Sequence, residues 1–242
     1  ACLYWQYHLI TTPIQHEGGE IPALNYSAIR DATRLAFPTL AFWIVAYLLL
    51  DRSRPQRPLL WWLSLGWGGA VATAISMVLN TWAAEQMNIS GQDPASGARA
   101  AIFVAPFVEE ATKASVLFLI AMAYRYRLVS KLTGIVLAGL SAAGFAFTEN
   151  IIYYARAIVY TSVTIGTGNP DEAVNKLVML RGVWLAFGHP LFTTMTAIGL
   201  LTAVRTHSKV VRVLAPIVGY LCAALLHMLF NTGATLITAE PQ

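Results

Sequence analysis

Residues 59–84 read LLWWLSLGWGGAVATAISMVLNTWAA, twenty-six consecutive positions without Asp, Glu, Lys, Arg or His. A helix rises about 1.5 Å per residue, so about 20 apolar residues are enough to cross the hydrocarbon core of a bilayer. Soluble helical proteins seldom contain a run of this length. The stretch therefore predicts a membrane-spanning helix.

The composition of the whole chain also indicates a membrane protein. Of its 242 residues, 57% are hydrophobic and 12% are charged, against roughly 25% charged residues in an ordinary soluble domain. The net charge of +4 sits mostly in short loops, so it does not signal nucleic acid. Cys2 and Cys222 are far apart, which argues against a disulfide or a cysteine metal site. We predict an all-α, polytopic transmembrane helical bundle.

Six spans are predicted within a single integral-membrane domain covering residues 1–242. They cover residues 35–50, 59–83, 100–124, 132–155, 182–204 and 213–239.

Basic residues predict the orientation of these spans. Three short loops, at residues 51–58, 124–131 and 205–212, hold nine Lys or Arg residues, against six on the longer segments opposite. Such loops usually face the cytoplasm. Residues 1–34 are then mostly extracytoplasmic, and residues 1–10 are interpreted as the tail of a further span upstream.

A small set of polar groups interrupts spans three to six. Its members are Glu109, Glu110, Lys113, Glu149, Asn150, His189, His227 and Asn231. Ionisable side chains in a span are costly and usually face the bundle interior or a water-filled cavity. Counted by helix rise, representative members lie roughly 10 to 18 Å below the outer face. This shared depth, in the outer half of the membrane, indicates one functional site.

Spacing along the helices supports this interpretation. Glu109 and Lys113 are four residues apart and share a helix face. We expect Lys113 to hold one glutamate charged while the other stays free for proton transfer. The same spacing relates His227 to Asn231, His189 to Thr193 and Phe145 to Glu149.

Two kinds of chemistry suit these residue types. Carboxylates and neutral imidazoles are ordinary ligands of Zn²⁺. Alternatively, a glutamate in an apolar cavity can act as general base towards water, with histidine and asparagine stabilising the oxyanion. Both schemes describe amide hydrolysis inside a membrane. A proton or ion pathway uses many of the same residue types and stays open as an alternative.

Two motifs resemble those of the PrsW intramembrane proteases. Residues 109–113, EEATK, resemble the EExxK motif of that family, and residues 145–150, FAFTEN, resemble its FxxxEN motif. His189 and His227 fall in the later spans where the family carries histidines. The resemblance covers roughly residues 100–231.

The PrsW proteins are related to the type II CAAX prenyl endopeptidases and to the APH-1 subunit of γ-secretase. The prenyl endopeptidase patterns are EExxxR, FxxxH and HxxxN, and His227 with Asn231 matches the third. Lys113 stands in place of the arginine, one position earlier, and Glu149 in place of the histidine. Both departures favour PrsW and argue against prenylated substrates.

The resemblance implies a multi-pass endopeptidase of a prokaryotic cell membrane. It implies single-pass membrane proteins as substrates, including anti-sigma factors, cut near the extracytoplasmic side. The partners are then the lipid bilayer and a membrane-protein or peptide substrate. A zinc-dependent reaction and a glutamate-activated water without a cofactor both remain open. The alternatives are a non-proteolytic scaffold of the APH-1 type and an ion- or proton-coupled transporter.

The residues receive the following roles as hypotheses, within a catalytic four-helix core at residues 100–239. Glu109 is the first choice for activating water, and Glu110 is the second. The catalytic set comprises Glu109, Glu110, Glu149, His189, His227 and Asn231, with Asn231 serving the oxyanion. The supporting set comprises Lys113, Asn150, Phe145 and Thr193, with Asn150 orienting Glu149. The expected metal ligands, if a metal is bound, are Glu149, His189 and His227.

Overall fold

The computed structural model describes residues 1–16, 19–21, 23–52, 57–88, 96–124, 131–163 and 170–238. These ranges contain ten α-helices, two π-helices and one two-stranded hairpin. The elements are α1 Cys2–Ile10, β1 Ile14–His16, β2 Gly19–Ile21, α2 Tyr26–Asp51, α3 Pro58–Gly66, π1 Trp67–Ala72, α4 Thr73–Gln86, α5 Ser96–Phe103, α6 Ala105–Tyr124, α7 Lys131–Val163, α8 Pro170–Met179, π2 Leu180–Trp184, α9 Gly188–Arg205 and α10 Lys209–Thr238.

Five helical segments of the described chain are long and apolar enough to cross a membrane. They are Tyr26–Asp51, Pro58–Gln86, Leu132–Val159, Asp171–Arg205 and Lys209–Leu236. The predicted all-α polytopic bundle is confirmed, with the short antiparallel β1–β2 hairpin as an addition near the N-terminus. Residues 53–56 and 125–130, in two of the basic loops, lie outside the described residues, and the orientation stays a prediction.

The predicted span at residues 100–124 is observed as two helices, α5 and α6, which are separated at Val104. Pro106 has no backbone N–H and cannot continue the hydrogen-bond ladder of α5, whereas the first turn of a new helix accepts it. α6 is 20 residues long. Every 18-residue stretch of α6 contains its three charged residues, whereas each of the five apolar segments includes an 18-residue stretch with at most two.

α2 begins at Tyr26, nine residues before the predicted start of the first span. Asn25 caps the helix, because its Oδ1 accepts a hydrogen bond from the backbone N–H of Ala28 at 2.8 Å. Asp31 forms ion pairs with two exposed arginines in the first turns. These charges interrupt the apolar run, which is why the hydropathy pattern placed the start too late.

α7 is the central helix and packs against α2, α3, π1, α6 and α9. Its crossing with α3 and π1 is close. A Cβ atom at Gly68 would overlap the carbonyl oxygen of Ser141, and one at Gly144 would overlap that of Leu65. Small residues at such positions let helix backbones approach each other within a membrane.

The carbonyl oxygens of π1 receive hydrogen bonds from side chains. Thr73 donates to the carbonyl oxygen of Gly68 at 2.8 Å, Thr148 to that of Gly69 at 2.8 Å, and Gln6 to that of Ala70 at 2.9 Å. Gln6 is buried and fixes α1 against π1. The further span expected upstream of α1 stays a prediction.

The largest apolar cluster joins α6, α7 and α9. It includes Val116, Leu117, Ile120, Leu137, Ala138, Ala197, Leu200 and Leu201. The predicted polar residues of these three helices lie about one to three turns away along the same helices, so the packed core fixes their positions.

Candidate active site

Glu110 on α6 lies at the centre of a polar cluster, and its side chain is fully buried. Its Oε1 pairs with Nζ of Lys113 at 2.5 Å and accepts a hydrogen bond from Nδ1 of His227 at 3.0 Å. Its Oε2 accepts a hydrogen bond from Oγ1 of Thr193 at 2.7 Å. One carboxylate therefore joins α6, α9 and α10, and both of its oxygens are occupied.

Glu109, also buried, has one oxygen without a partner. Its Oε1 accepts a hydrogen bond from Nδ2 of Asn80 on α4 at 3.1 Å. Its Oε2 has no hydrogen-bond partner among the described residues. Nζ of Lys113 and Nε2 of His227 each lie 3.9 Å from this atom, too far for a direct hydrogen bond. Because buried polar atoms are nearly always paired, Oε2 marks a position where a further molecule can bind.

The partners of the two histidines define their neutral tautomers. Nδ1 of His227 lies beside the Glu110 carboxylate, which only accepts, so Nδ1 carries the proton and Nε2 the lone pair. Nδ1 of His189 lies 3.0 Å from Nζ of Lys113, which only donates. His189 therefore accepts at Nδ1 and donates from Nε2 to Oε2 of Glu149 at 2.9 Å.

Glu149 on α7 is held by a cation, Arg181, that is absent from the predicted site residues. Nη2 of Arg181, in π2, donates to Oε2 of Glu149 at 2.7 Å, and its Nε donates to Oδ1 of Asn150 at 2.9 Å. The guanidinium also lies over the ring of Tyr153, 4.0 Å from its centroid. Asn150 is thus connected to Glu149 through Arg181.

Two further predicted residues lie beside the hydrogen-bonded cluster. The ring centroid of Phe145 is 4.6 Å from Nζ of Lys113 and 5.6 Å from the ring centroid of His189. Nδ2 of Asn231 donates to the carbonyl oxygen of Ala101 at 2.8 Å. Within the described chain, the Asn231 side chain forms no hydrogen bond to the glutamates or histidines, although it lines a cavity that Glu109 and His227 also line.

A cavity of about 710 Å³ adjoins the cluster, within the size range of ligand sites. Its buried wall includes Glu109, Phe145 and His227, and its exposed lining includes Glu85, Tyr153 and Arg156. The cavity therefore leads from the polar cluster to an exposed polar rim.

Glu109, His189 and His227 each offer one ligand atom, and these three atoms lie within 4.8 Å of one another. A family model described as PrsW family intramembrane metalloprotease matches residues 55–241. The chain belongs to this family. No curated protein and no solved structure matches it.

PrsW membership confirms the resemblance predicted from the EEATK and FAFTEN motifs. It identifies the chain as a multi-pass intramembrane protease of the metalloprotease type, which acts on membrane proteins in a lipid bilayer. The matched residues 55–241 include the whole polar cluster.

The metal ion implied by PrsW membership suits part of this donor set well. Within the part of the chain that the structure describes, Oε2 of Glu109 has no hydrogen-bond partner. His227 is bonded to a carboxylate through its other ring nitrogen, the arrangement usual for metal-bound histidine. His189 would have to release Lys113 or Glu149 to serve as the third ligand. Catalytic zinc sites commonly use three protein ligands and leave one position for water.

The predicted ligand set contained Glu149, whereas the structure groups Glu109 with the two histidines. The Glu149 carboxylate is instead engaged by Arg181 and His189. Which residues bind a metal, and which metal, stay predictions.

Asn80 and Arg181 were not predicted from the sequence as residues of the site. Asn80 sits in the apolar run at residues 59–84, where a single amide carries little signal. Arg181 was counted among the basic residues that flank a span. Asn80 could have been indicated by its position at the membrane depth of the acidic residues. Arg181 could have been indicated by its position next to a span entrance.

Proposed function

We propose that this protein is an intramembrane endopeptidase that hydrolyses a peptide bond of membrane-protein substrates, with Glu109 activating the attacking water. One observation carries the proposal: Oε2 of Glu109 is buried, has no hydrogen-bond partner among the described residues, and lies 3.9 Å from Nε2 of His227, on the wall of a cavity. A water with two hydrogen bonds of about 2.8 Å can bridge these two atoms.

In the proposed reaction, Oε2 of Glu109 accepts a proton from this water while the water oxygen attacks the carbonyl carbon of the substrate. Nε2 of His227 accepts the other O–H and orients the water. The proton on Glu109 then passes to the leaving amine nitrogen as the C–N bond breaks. A metal ion held by Glu109, His189 and His227 would take the place of this hydrogen-bonded water, and it would itself polarise a water and the substrate carbonyl.

Other members of the cluster support these two residues. Glu110 fixes His227 and Lys113 and has no free oxygen, which makes it the weaker choice for the base. Asn231 donates one of its two amide N–H groups to Ala101. The second N–H is available to the oxyanion that forms on the substrate.

The proposed substrates are single-pass membrane proteins, anti-sigma factors among them, cut near the extracytoplasmic face of a prokaryotic cell membrane. Support comes from the exposed rim of the cavity, which includes Arg156 and Tyr153 near the outer end of the predicted fourth span. The basic loops that assign the opposite side to the cytoplasm agree with this orientation.

The test uses the purified protein in liposomes with a pool of synthetic single-pass helices that carry different extracytoplasmic segments. Mass spectrometry identifies new termini. We expect the wild type to cut and Glu109→Gln to lose cleavage, with Glu110→Gln weakened because its bonded partners lose their anchor. Glu172→Gln is the matched control, since Glu172 is exposed and pairs only with Lys176 among the described contacts. Full cleavage by Glu109→Gln would overturn the assignment of the base.

The scaffold and transporter alternatives predict other results in the same preparation. A scaffold would cut no peptide in any form and would bind a partner equally well with Glu109→Gln. A transporter would move protons or ions across the liposome membrane without new peptide termini.

A further inference from the structure

Asn80 on α4 contacts the carboxylate of the proposed base. Its Nδ2 donates to Oε1 of Glu109 at 3.1 Å, whereas its own Oδ1 is buried without a hydrogen-bond partner among the described residues. An asparagine present only to join helices would be expected to satisfy both ends of its amide. Here only the end that contacts Glu109 is satisfied.

A second polar contact already joins the same two helices. Oγ of Ser76, one turn earlier on α4, lies 3.0 Å from Oγ1 of Thr112 on α6. Neither of these atoms bonds to the carboxylate of Glu109. The link between α4 and α6 therefore does not depend on Asn80 alone.

A carboxylate can rotate about its terminal bond, and a partial rotation would turn Oε2 of Glu109 away from Nε2 of His227. The hydrogen bond from Asn80 to Oε1 restrains this rotation and keeps Oε2 facing Nε2 of His227. Catalytic groups need such support to stay in their productive geometry.

We propose that Asn80 is a positioning residue, which holds the Glu109 carboxylate so that one chosen oxygen faces the water site. This inference rests on the proposed function. It adds a residue from the second predicted span, outside the four-helix core at residues 100–239.

The test compares Asn80→Leu and Asn80→Asp with Ser76→Ala in the liposome cleavage assay, using the peptide that the wild type cuts fastest. Both Asn80 variants remove the N–H donor, and the aspartate variant keeps the shape of the side chain. Ser76→Ala removes the neighbouring contact between α4 and α6 without touching the carboxylate. For each variant, kcat, KM and the unfolding temperature are measured.

We expect kcat to fall about 10- to 100-fold in both Asn80 variants, with a smaller change in KM, because the main effect is to misplace the base. Ser76→Ala should keep the wild-type kcat while its unfolding temperature falls as much as that of Asn80→Leu. The inference fails if the Asn80 variants retain the wild-type kcat. It also fails if Ser76→Ala loses as much kcat as Asn80→Leu for the same fall in unfolding temperature, because Asn80 would then be structural. A wild type that cuts no peptide would instead remove the proposed function and this inference with it.

Discussion

Nζ of Lys113 lies 2.5 Å from Oε1 of Glu110, and the two residues stand three positions apart on α6 with both side chains fully buried. Breaking a buried ion pair leaves an uncompensated charge, so Lys113→Met should lower the free energy of unfolding by about 3–5 kcal/mol. The double variant Lys113→Met, Glu110→Gln should recover part of this loss. Thermal unfolding in detergent measures both.

The control for that experiment is Lys176→Met. Lys176 forms an exposed ion pair with Glu172 at 2.7 Å, and such pairs contribute about 0–1 kcal/mol. Equal effects of Lys113→Met and Lys176→Met would contradict the buried pairing.

Arg181 supplies hydrogen bonds to both Glu149 and Asn150. Arg181→Leu should cost about 1.5–3 kcal/mol of stability, because a hydrogen bond to a charged group is lost. Arg181→Lys should recover only part, since a lysine lacks the forked guanidinium that reaches both partners. Arg34→Leu, at an exposed surface pair with Asp31, is the comparison and should change stability little.

Metal content distinguishes the two candidate ligand sets. Elemental analysis of the purified wild type should find near-stoichiometric metal, and Glu109→Gln and His227→Ala should lose it. Glu149→Gln should keep most of it, because Arg181 and His189 engage that carboxylate. Loss of metal in Glu149→Gln with retention in Glu109→Gln would favour the set predicted from sequence. A well-folded wild type without metal would leave the water held by Glu109 and His227 as the reactive group.

Gly68→Ala should destabilise the protein by about 1–3 kcal/mol, because the new methyl group would overlap the carbonyl oxygen of Ser141. Gly66→Ala is a close control two residues away, where nothing lies within 4 Å of the added carbon. That substitution should be neutral or stabilising within a helix. Thermal unfolding of both variants is measured. If the unfolding curves of Gly68→Ala and Gly66→Ala coincide, the close crossing of π1 and α7 is contradicted.

Asn231→Leu should lower kcat by about 10²- to 10³-fold, the usual cost of removing one oxyanion donor. Thr232→Val is the neighbouring control, because among the described residues the Thr232 hydroxyl bonds only the carbonyl oxygen of Met228, on its own helix. Wild-type kcat in Asn231→Leu would remove Asn231 from the catalytic set.

The helical bundle could be predicted from the sequence because lipid forces a simple pattern on the chain. Long uncharged runs locate the spans, and the structure contains helical segments there. The ends of helices were harder, since they depend on local chemistry and not on hydropathy. The cap at Asn25 and the missing N–H of Pro106 moved or divided helices that the apolar pattern treated as uniform.

The meeting of these polar side chains at one level of the bundle could be predicted, but their pairing could not. A helix rise gives the height of each side chain, so Glu109, His189 and His227 were expected at one level. The height of a side chain does not tell in which direction its helix points it. In the folded structure these directions bring Arg181 to Glu149 and leave one oxygen of Glu109 without a hydrogen-bond partner among the described residues. The partners of the two carboxylates could therefore only be seen in the structure.

The partners of Glu110 are synthesised at different times. Lys113 follows it by three residues, whereas His227 follows it by 117. α6 is therefore synthesised before α10, and it carries charges that lipid disfavours. The ammonium group on its own helix neutralises Glu110 at that stage, so α6 brings its counter-ion with it, and the histidine is added when the last helix joins the bundle.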